Sequence, residues 1–202
     1  THLYVSGHGL TITVAPVLAG GAALALISTL LSQKSLSTAG VAWLATSGSA
    51  LLAGGLLSFG LALRGLTDGN EWTVTLLVVV AAADVGGYAV GLPFGRHKIL
   101  PSISPAKSWE GAAGGLAASM GISVAAIASF GLPVSTLEAV GLGALLWIGA
   151  LTGDFAESAL KRRAGAKDSS GLIPGHGGVF DRLDSIVLNL VLCYYFVVWI
   201  GP

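Results

Sequence analysis

"TVTLLVVVAAADVGGYAVGL", Thr73–Leu92, is twenty residues long and holds a single charge, Asp84. A hydrocarbon core about 30 Å thick is crossed by ~20 apolar residues in helical conformation, so this stretch has the length and oiliness of a membrane span. The whole chain agrees with it. Of 202 residues, 53% are hydrophobic and 10% charged, with a mean hydropathy of +0.82, where soluble domains carry about a quarter charged residues. Too few polar side chains remain to cover a water-facing surface, which excludes a soluble all-α bundle.

Working outward, Leu10–Leu31, Val41–Leu63 and Gly111–Phe130 are equally apolar and uncharged; Thr136–Glu157 carries its acids near its ends; Ile186–Ile200 is short and closes on Tyr194, Tyr195, Phe196 and Trp199, residues suited to a membrane interface. The expected fold class is all-α, a polytopic integral membrane protein with about six transmembrane helices, one domain over residues 1–202, and a polar cavity facing the cytoplasm. Small residues let membrane helices approach closely, and "GGLLSFG" (54–60) and "GAAGG" (111–115) have the look of such packing faces.

Six spans put loops 1, 3 and 5 on one side. Those loops hold Lys34, then Arg96, Lys98 and Lys107, then Lys161, Arg162, Arg163, Lys167 and Arg182, and the other side holds Arg64 alone. The positive-inside rule places the basic loops in the cytoplasm. The single cysteine, Cys193, allows no disulfide within the chain.

An acid inside a span is costly and points to function. Asp84 and Asp154 both sit toward the basic side, with Glu157 one turn beyond Asp154. For Asp84 the alternative is an interhelical hydrogen bond or protonation in place; for Glu157 it is an ion pair with Lys161 at i+4. Between Gly95 and Gly111 runs a Pro- and Ser-rich loop, "GRHKILPSISPAKSWEG", and between Lys161 and Ser185 runs "KRRAGAKDSSGLIPGHGGVFDRLDS". Glycines let a backbone approach a ligand, and successive N–H groups cradle phosphate oxygens. Asp181 and Asp184, three apart, share a face if a helix begins there. Carboxylates beside a phosphate site call for a cation between them, and Mg²⁺ takes one or two carboxylates plus substrate oxygens. The pattern therefore predicts a site for a polyphosphate and a divalent metal at the inner membrane surface. No P-loop spacing is present and no nucleophile with an adjacent base is legible. His176 is either a metal ligand or a turn residue.

"SALKRRAGAKDSSGLIPGHGGVFDRLDS", Ser158–Ser185, closely resembles the signature of the phosphatidate cytidylyltransferases (CDP-diacylglycerol synthases), and "ADVGGYAVGLPFGRHKILPSISPAKSWEG", Ala83–Gly111, is similar to their upstream block. The resemblance runs from about Arg64 to Ser185. It departs after Asp84, where Val-Gly-Gly replaces the usual Thr-Gly-Ala. Family members carry more helices before the first span, so the resemblance implies a compact or a shortened member. It implies transfer of CMP from CTP to phosphatidate with release of pyrophosphate, dependence on Mg²⁺, a bacterial inner-membrane location and a homodimer, with no nucleic-acid partner. A two-cation centre fits that chemistry. On this reading Asp154, Asp181 and Lys167 form the catalytic set. Asp154, Asp181, Asp84 and Asp184 are the metal ligands. Lys161, Arg162 and Arg182 hold phosphates, Ser104 and Lys107 close the site from the other wall, and Gly175, His176, Gly177 and Gly178 shape the nucleotide loop. An anion transporter, a cytidylyltransferase for another lipid phosphate and an inactive relative are the competing readings.

Overall fold

The apolar runs from Gly54 onward fold as helices in a computed structural model that describes residues 2–4, 11–13, 27, 54–163 and 180–200. In chain order these are α1 (Gly54–Arg64), α2 (Gly69–Phe94), α3 (Trp109–Phe130), α4 (Thr136–Arg163) and α5 (Phe180–Ile200). Among the described residues α2, α3 and α4, of 26, 22 and 28 residues, are long and apolar enough to cross a membrane. Most of the two spans expected before Gly54 lies outside the described residues.

The fold is mostly helical rather than purely so. β1 (His2–Tyr4) pairs antiparallel with β2 (Thr11–Thr13), placing Leu3 opposite Ile12. This corrects the start of a span expected from Leu10: Thr11, Ile12, Thr13 and Val14 are all β-branched, stiff at χ1 and at home in a strand. A second hairpin, β3 (Lys98–Leu100) and β4 (Ser104–Ser108), occupies the loop between α2 and α3, with a register shift between its two pairs, Lys98 opposite Ser108 and Leu100 opposite Ser104.

The helix ends follow local rules. Asp68 precedes α2 in the left-handed region (φ 53°), which Asp tolerates better than most residues. A Cβ on Gly69 would come within 2.5 Å of the Leu63 and Arg64 carbonyl oxygens, so the tight α1–α2 turn requires glycine there. Pro93 falls in the last turn of α2 and the helix stops at Phe94, since proline opposes further helix around it. Ser108 caps α3, its Oγ accepting from the Gly111 N–H at 3.2 Å, and Gly131 at φ 67° ends that helix. Ser135 and Glu138 form a capping box for α4: the Ser135 N–H donates to Glu138 Oε2 at 2.7 Å and the Glu138 N–H to Ser135 Oγ at 3.3 Å. Lys161, Arg162 and Arg163 fill its last turn, where cations favour the helix dipole.

From α2 to α5, consecutive helices pack antiparallel. Between α2 and α3 the contact is backbone on backbone: a Cβ on Gly114 would lie 2.6 Å from Val90 Cβ and 2.8 Å from the Gly86 carbonyl oxygen, and one on Gly111 would lie 2.8 Å from that of Gly87. The "GAAGG" stretch is therefore the packing face its composition implies. Of the three glycines in "GGLLSFG", Gly60 alone has a described neighbour beside its absent Cβ, the Leu190 side chain, while Phe59 packs on Tyr194 and Tyr195. Trp72, Leu76, Val79, Leu142, Leu146 and Cys193 form the core where α2, α4 and α5 meet, with Trp72 edge-on to Phe196.

Candidate active site

A cavity of about 510 Å³ opens where α2, β4, α3 and α4 converge. Gly87 and Gly91 of α2 face Gly111 of α3 along its wall, and Gly115 of α3 faces Ala83 of α2. Because these glycines lack side chains, the two helices close tightly, and the cavity lies between them and α4. Trp147, Ala150 and Leu151 of α4 supply an apolar wall. Three charged side chains named from the sequence line this one space: Asp84 from α2, Lys107 from β4 and Asp154 from α4. Asp84 is exposed on its helix and lines the cavity.

Lys107 and Asp154, 47 positions apart in sequence, form an ion pair through Nζ and Oδ2. Both side chains are about three-quarters buried, with 27% and 23% exposure. The ammonium also lies 5.4 Å from the centre of the Phe155 ring, within range of a cation–π attraction. The other oxygen of Asp154, Oδ1, accepts the Ser185 hydroxyl at 2.7 Å. Ser185 comes from α5, so three elements meet on one carboxylate.

The hairpin that presents Lys107 is pinned at its base. Glu110 accepts the backbone N–H groups of Arg96 and His97 at 3.2 Å, and His97 Nδ1–H donates to Glu110 Oε1 at 2.6 Å. The Trp109 N–H donates to the His97 carbonyl at 2.9 Å. These bonds join the end of α2 to the start of α3 and fix the strand that carries Lys107.

The remaining expected residues divide. Lys161 pairs with Glu157 at 2.9 Å one turn along α4, the i+4 alternative for that acid. Arg162 Nε donates to the Ile103 carbonyl at 3.5 Å, reaching from α4 to the hairpin. Neither of these cations lines the cavity, nor does Ser104, although Ser104 stands on β4. Lys167, Gly175, His176, Gly177 and Gly178 lie outside the described residues. Asp181, Arg182 and Asp184 fall in the first turns of α5, where the backbone alone is described and the side chains lie outside the description. Helix does begin at Phe180, as a shared face for Asp181 and Asp184 requires, and Ser185 brings that end of α5 against Asp154.

Sequence reasoning missed Ser185, Lys98 and Trp147. Lys98 lines the cavity and donates to the Ala106 carbonyl at 3.3 Å; its place in the basic stretch from Arg96 to Lys107 was the available signal. Ser185 directly follows the last acid of the "DRLD" run. Nothing in the local sequence marks Trp147.

Comparison with known proteins bears on this arrangement. A phosphatidate cytidylyltransferase of Mycobacterium bovis is 44% identical over 138 residues, 68% of this chain and 44% of that protein. One from Pseudomonas aeruginosa is 42% identical over 118 residues, 58% of this chain and 44% of its own length. Phosphatidate cytidylyltransferase 5, chloroplastic, of Arabidopsis thaliana is 41% identical over 133 residues, 63% of this chain and 33% of that protein. The chain thus spans less than half the length of these curated relatives. The family model described as "Cytidylyltransferase family" matches residues 3–200, a range that takes in the cavity, its hairpin and the helices that carry its acids, and the chain belongs to that family.

Proposed function

We propose that the protein transfers CMP from CTP to phosphatidate, giving CDP-diacylglycerol and pyrophosphate. The observation that carries this reading is the convergence of Asp84, Lys107 and Asp154 on one cavity between helices apolar enough to cross a membrane. The names of the relatives supply the substrate class.

The chemistry asks little covalent work of the protein. A phosphate oxygen of phosphatidate attacks the α-phosphorus of CTP. A new P–O–P bond forms, the bond from the α-phosphorus to the oxygen bridging to the β-phosphorus breaks, and pyrophosphate leaves with that electron pair. A phosphomonoester has its second pKa at ~6, so the nucleophile is largely a dianion at neutral pH and needs no general base. The difficulty is bringing two polyanions together, which positioning and charge neutralisation overcome. Lys107 stands where it would hold a phosphate oxygen. The oxygen donors Asp84 and Asp154 suit a hard cation such as Mg²⁺, with Asp181, Asp184 and a second cation completing the proposed set. When bound, Mg²⁺ supplies charge neutralisation of the triphosphate and of the leaving group. Lys161, Arg162, Lys167 and Arg182, with the glycine loop 175–178, are proposed as further phosphate contacts.

The proposed setting is a bacterial inner membrane, six spans with the basic loops and the site in the cytoplasm, and a homodimer. Phosphatidate would keep its acyl chains in the bilayer while its headgroup meets CTP at the surface.

The test is an assay of purified protein in detergent–phosphatidate micelles, following CDP-lipid and pyrophosphate together. Equal, Mg²⁺-dependent formation of both is expected. A folded protein that makes neither product from any of several lipid phosphates refutes the reading, and product from a different lipid phosphate alone corrects the acceptor.

A further inference from the structure

We infer that Ser185 is a positioning residue, whose hydroxyl fixes which oxygen of Asp154 is presented to the cavity. This rests on the cytidylyl-transfer reading above. The two oxygens of Asp154 have different partners: Oδ1 accepts from Ser185 Oγ at 2.7 Å, and Oδ2 faces Lys107. The terminal torsion of an aspartate is broad and nearly two-fold, so an ion pair to Lys107 alone would let the oxygens exchange. A hydroxyl held on Oδ1 removes that freedom. Oδ2 then becomes the atom left to bond Lys107 or a substrate-side cation.

The position of Ser185 is itself set by packing. Four residues on, Asn189 is fully buried, and its Nδ2 donates to the Ser185 carbonyl at 2.7 Å. The Asn189 side chain lies against Gly149, so closely that a Cβ there would overlap its Oδ1. Gly149 precedes Asp154 on α4 as Asn189 follows Ser185 on α5, and the helices run antiparallel. The close approach at Gly149 thus brings Ser185 within hydrogen-bond reach of Asp154. Helix–helix hydrogen bonds stabilise membrane proteins only weakly on average. Stability alone is therefore a poor reason to bury a hydroxyl against a carboxylate at the edge of the cavity.

The experiment compares wild type, Ser185→Ala and Ser185→Thr in the full chain. It reads kcat, the Mg²⁺ concentration giving half-maximal rate, binding of Mn²⁺ alone by electron paramagnetic resonance, and the melting midpoint. Ser185→Ala is expected to lose about 10–100-fold in rate or cation affinity, the range for groups that orient a ligating side chain, with its melting midpoint kept and with Ser185→Thr restoring function. If Ser185→Ala does not fold, Ser185→Cys keeps the volume, weakens the donor and takes its place. Ser185→Ala matching an active wild type in rate and Mn²⁺ affinity overturns the positioning role and leaves the cytidylyl-transfer reading standing. Equal impairment of Ala and Thr with a lowered midpoint marks a packing role and overturns it too. A wild type without turnover refutes the proposed function, and Mn²⁺ affinity then decides the Ser185 question: unchanged affinity in Ser185→Ala overturns it, a tenfold loss supports it.

Discussion

The α2–α3 and α4–α5 interfaces both depend on glycine, and they use it for different ends. Between α2 and α3, Gly86, Gly87 and Gly91 meet Gly111 and Gly114, and the neighbours of each absent Cβ are chiefly backbone carbonyls and small apolar groups. Between α4 and α5, Gly149 makes room for a buried amide, Asn189, and one turn away the same pair of helices joins Ser185 to Asp154. One interface shapes the wall of the cavity; the other orients a charge inside it. Disturbing the first should therefore show mainly as lost stability, and disturbing the second as lost turnover.

The sharpest way to break that distinction is at Asp154 itself. Asp154→Ala is expected to reduce CDP-lipid formation to background while the melting midpoint in detergent stays near that of wild type. Removing the carboxylate takes away the Asp154 ion pair of Lys107, but the lysine is 27% exposed and keeps access to solvent. A variant that retains full turnover would remove Asp154 from the chemistry and reduce both interfaces to scaffolding.

On the apolar side, Gly114→Val is the counterpart. Its Cβ would sit 2.5 Å from Val90 Cγ2 and 2.8 Å from the Gly86 carbonyl oxygen, so α2 and α3 must part. Overpacking of this kind costs about 1–3 kcal/mol, read as a lowered melting midpoint, with activity falling only as the folded fraction falls. Gly121→Ala on the same helix is the control. Beyond its own helix backbone no described atom lies within 4 Å of its added Cβ, and replacing glycine by alanine inside a helix favours it by up to about 1 kcal/mol. A Gly114→Val protein as stable as wild type would show that the backbone contact carries no energy.

A third variant asks whether the α4–α5 contact is a single unit. Gly149→Ala drives a methyl group into Asn189, which is fully buried and cannot swing to solvent. It should lower both midpoint and turnover. Asn189→Ala added to it removes the obstacle, so the double variant is expected to be more stable than Gly149→Ala alone, a non-additivity of roughly 0.5–3 kcal/mol for residues in contact. Strict additivity would deny the coupling.

What the sequence made legible divides along the same line. Chemical type and local spacing were readable: the apolar helices from Thr73 onward, the "GAAGG" packing face, the Glu157–Lys161 pair at i+4, and the intramembrane-type acids Asp84 and Asp154 with the loop lysine Lys107, which the fold brings to one cavity. Tertiary pairing was not. Nothing in the spacing says that Lys107 meets Asp154, or that Gly86 meets Gly114, because periodicity fixes a face and not its partner. The β3–β4 hairpin was hidden because Pro101 and Pro105 break any strand alternation and its register shifts. Ser185 was hidden because a serine on an apolar helix reads the same whether it bonds its own backbone or a neighbour's carboxylate.

The smallest expected effect lies at Glu110, which belongs to neither interface and tests whether the hairpin is a third positioning device. Its carboxylate gathers the Arg96 and His97 N–H groups and the His97 ring, three positions beyond Lys107 in sequence. Glu110→Gln keeps the shape and one accepting oxygen but replaces the other with a donor, which cannot accept the remaining N–H groups. Two closures do not involve this side chain: the Trp109 N–H to the His97 carbonyl at 2.9 Å, and Ser108 capping α3. The hairpin should therefore stay shut and Lys107 should move little. The expected result is a modest loss of turnover, well short of that in Asp154→Ala, with the melting midpoint nearly unchanged. If Glu110→Gln instead abolished activity in a stable protein, the hairpin base would rank with Asp154. The cavity's charges would then be set from β4 as much as from α5, and the contrast between the two glycine interfaces would no longer explain where function resides.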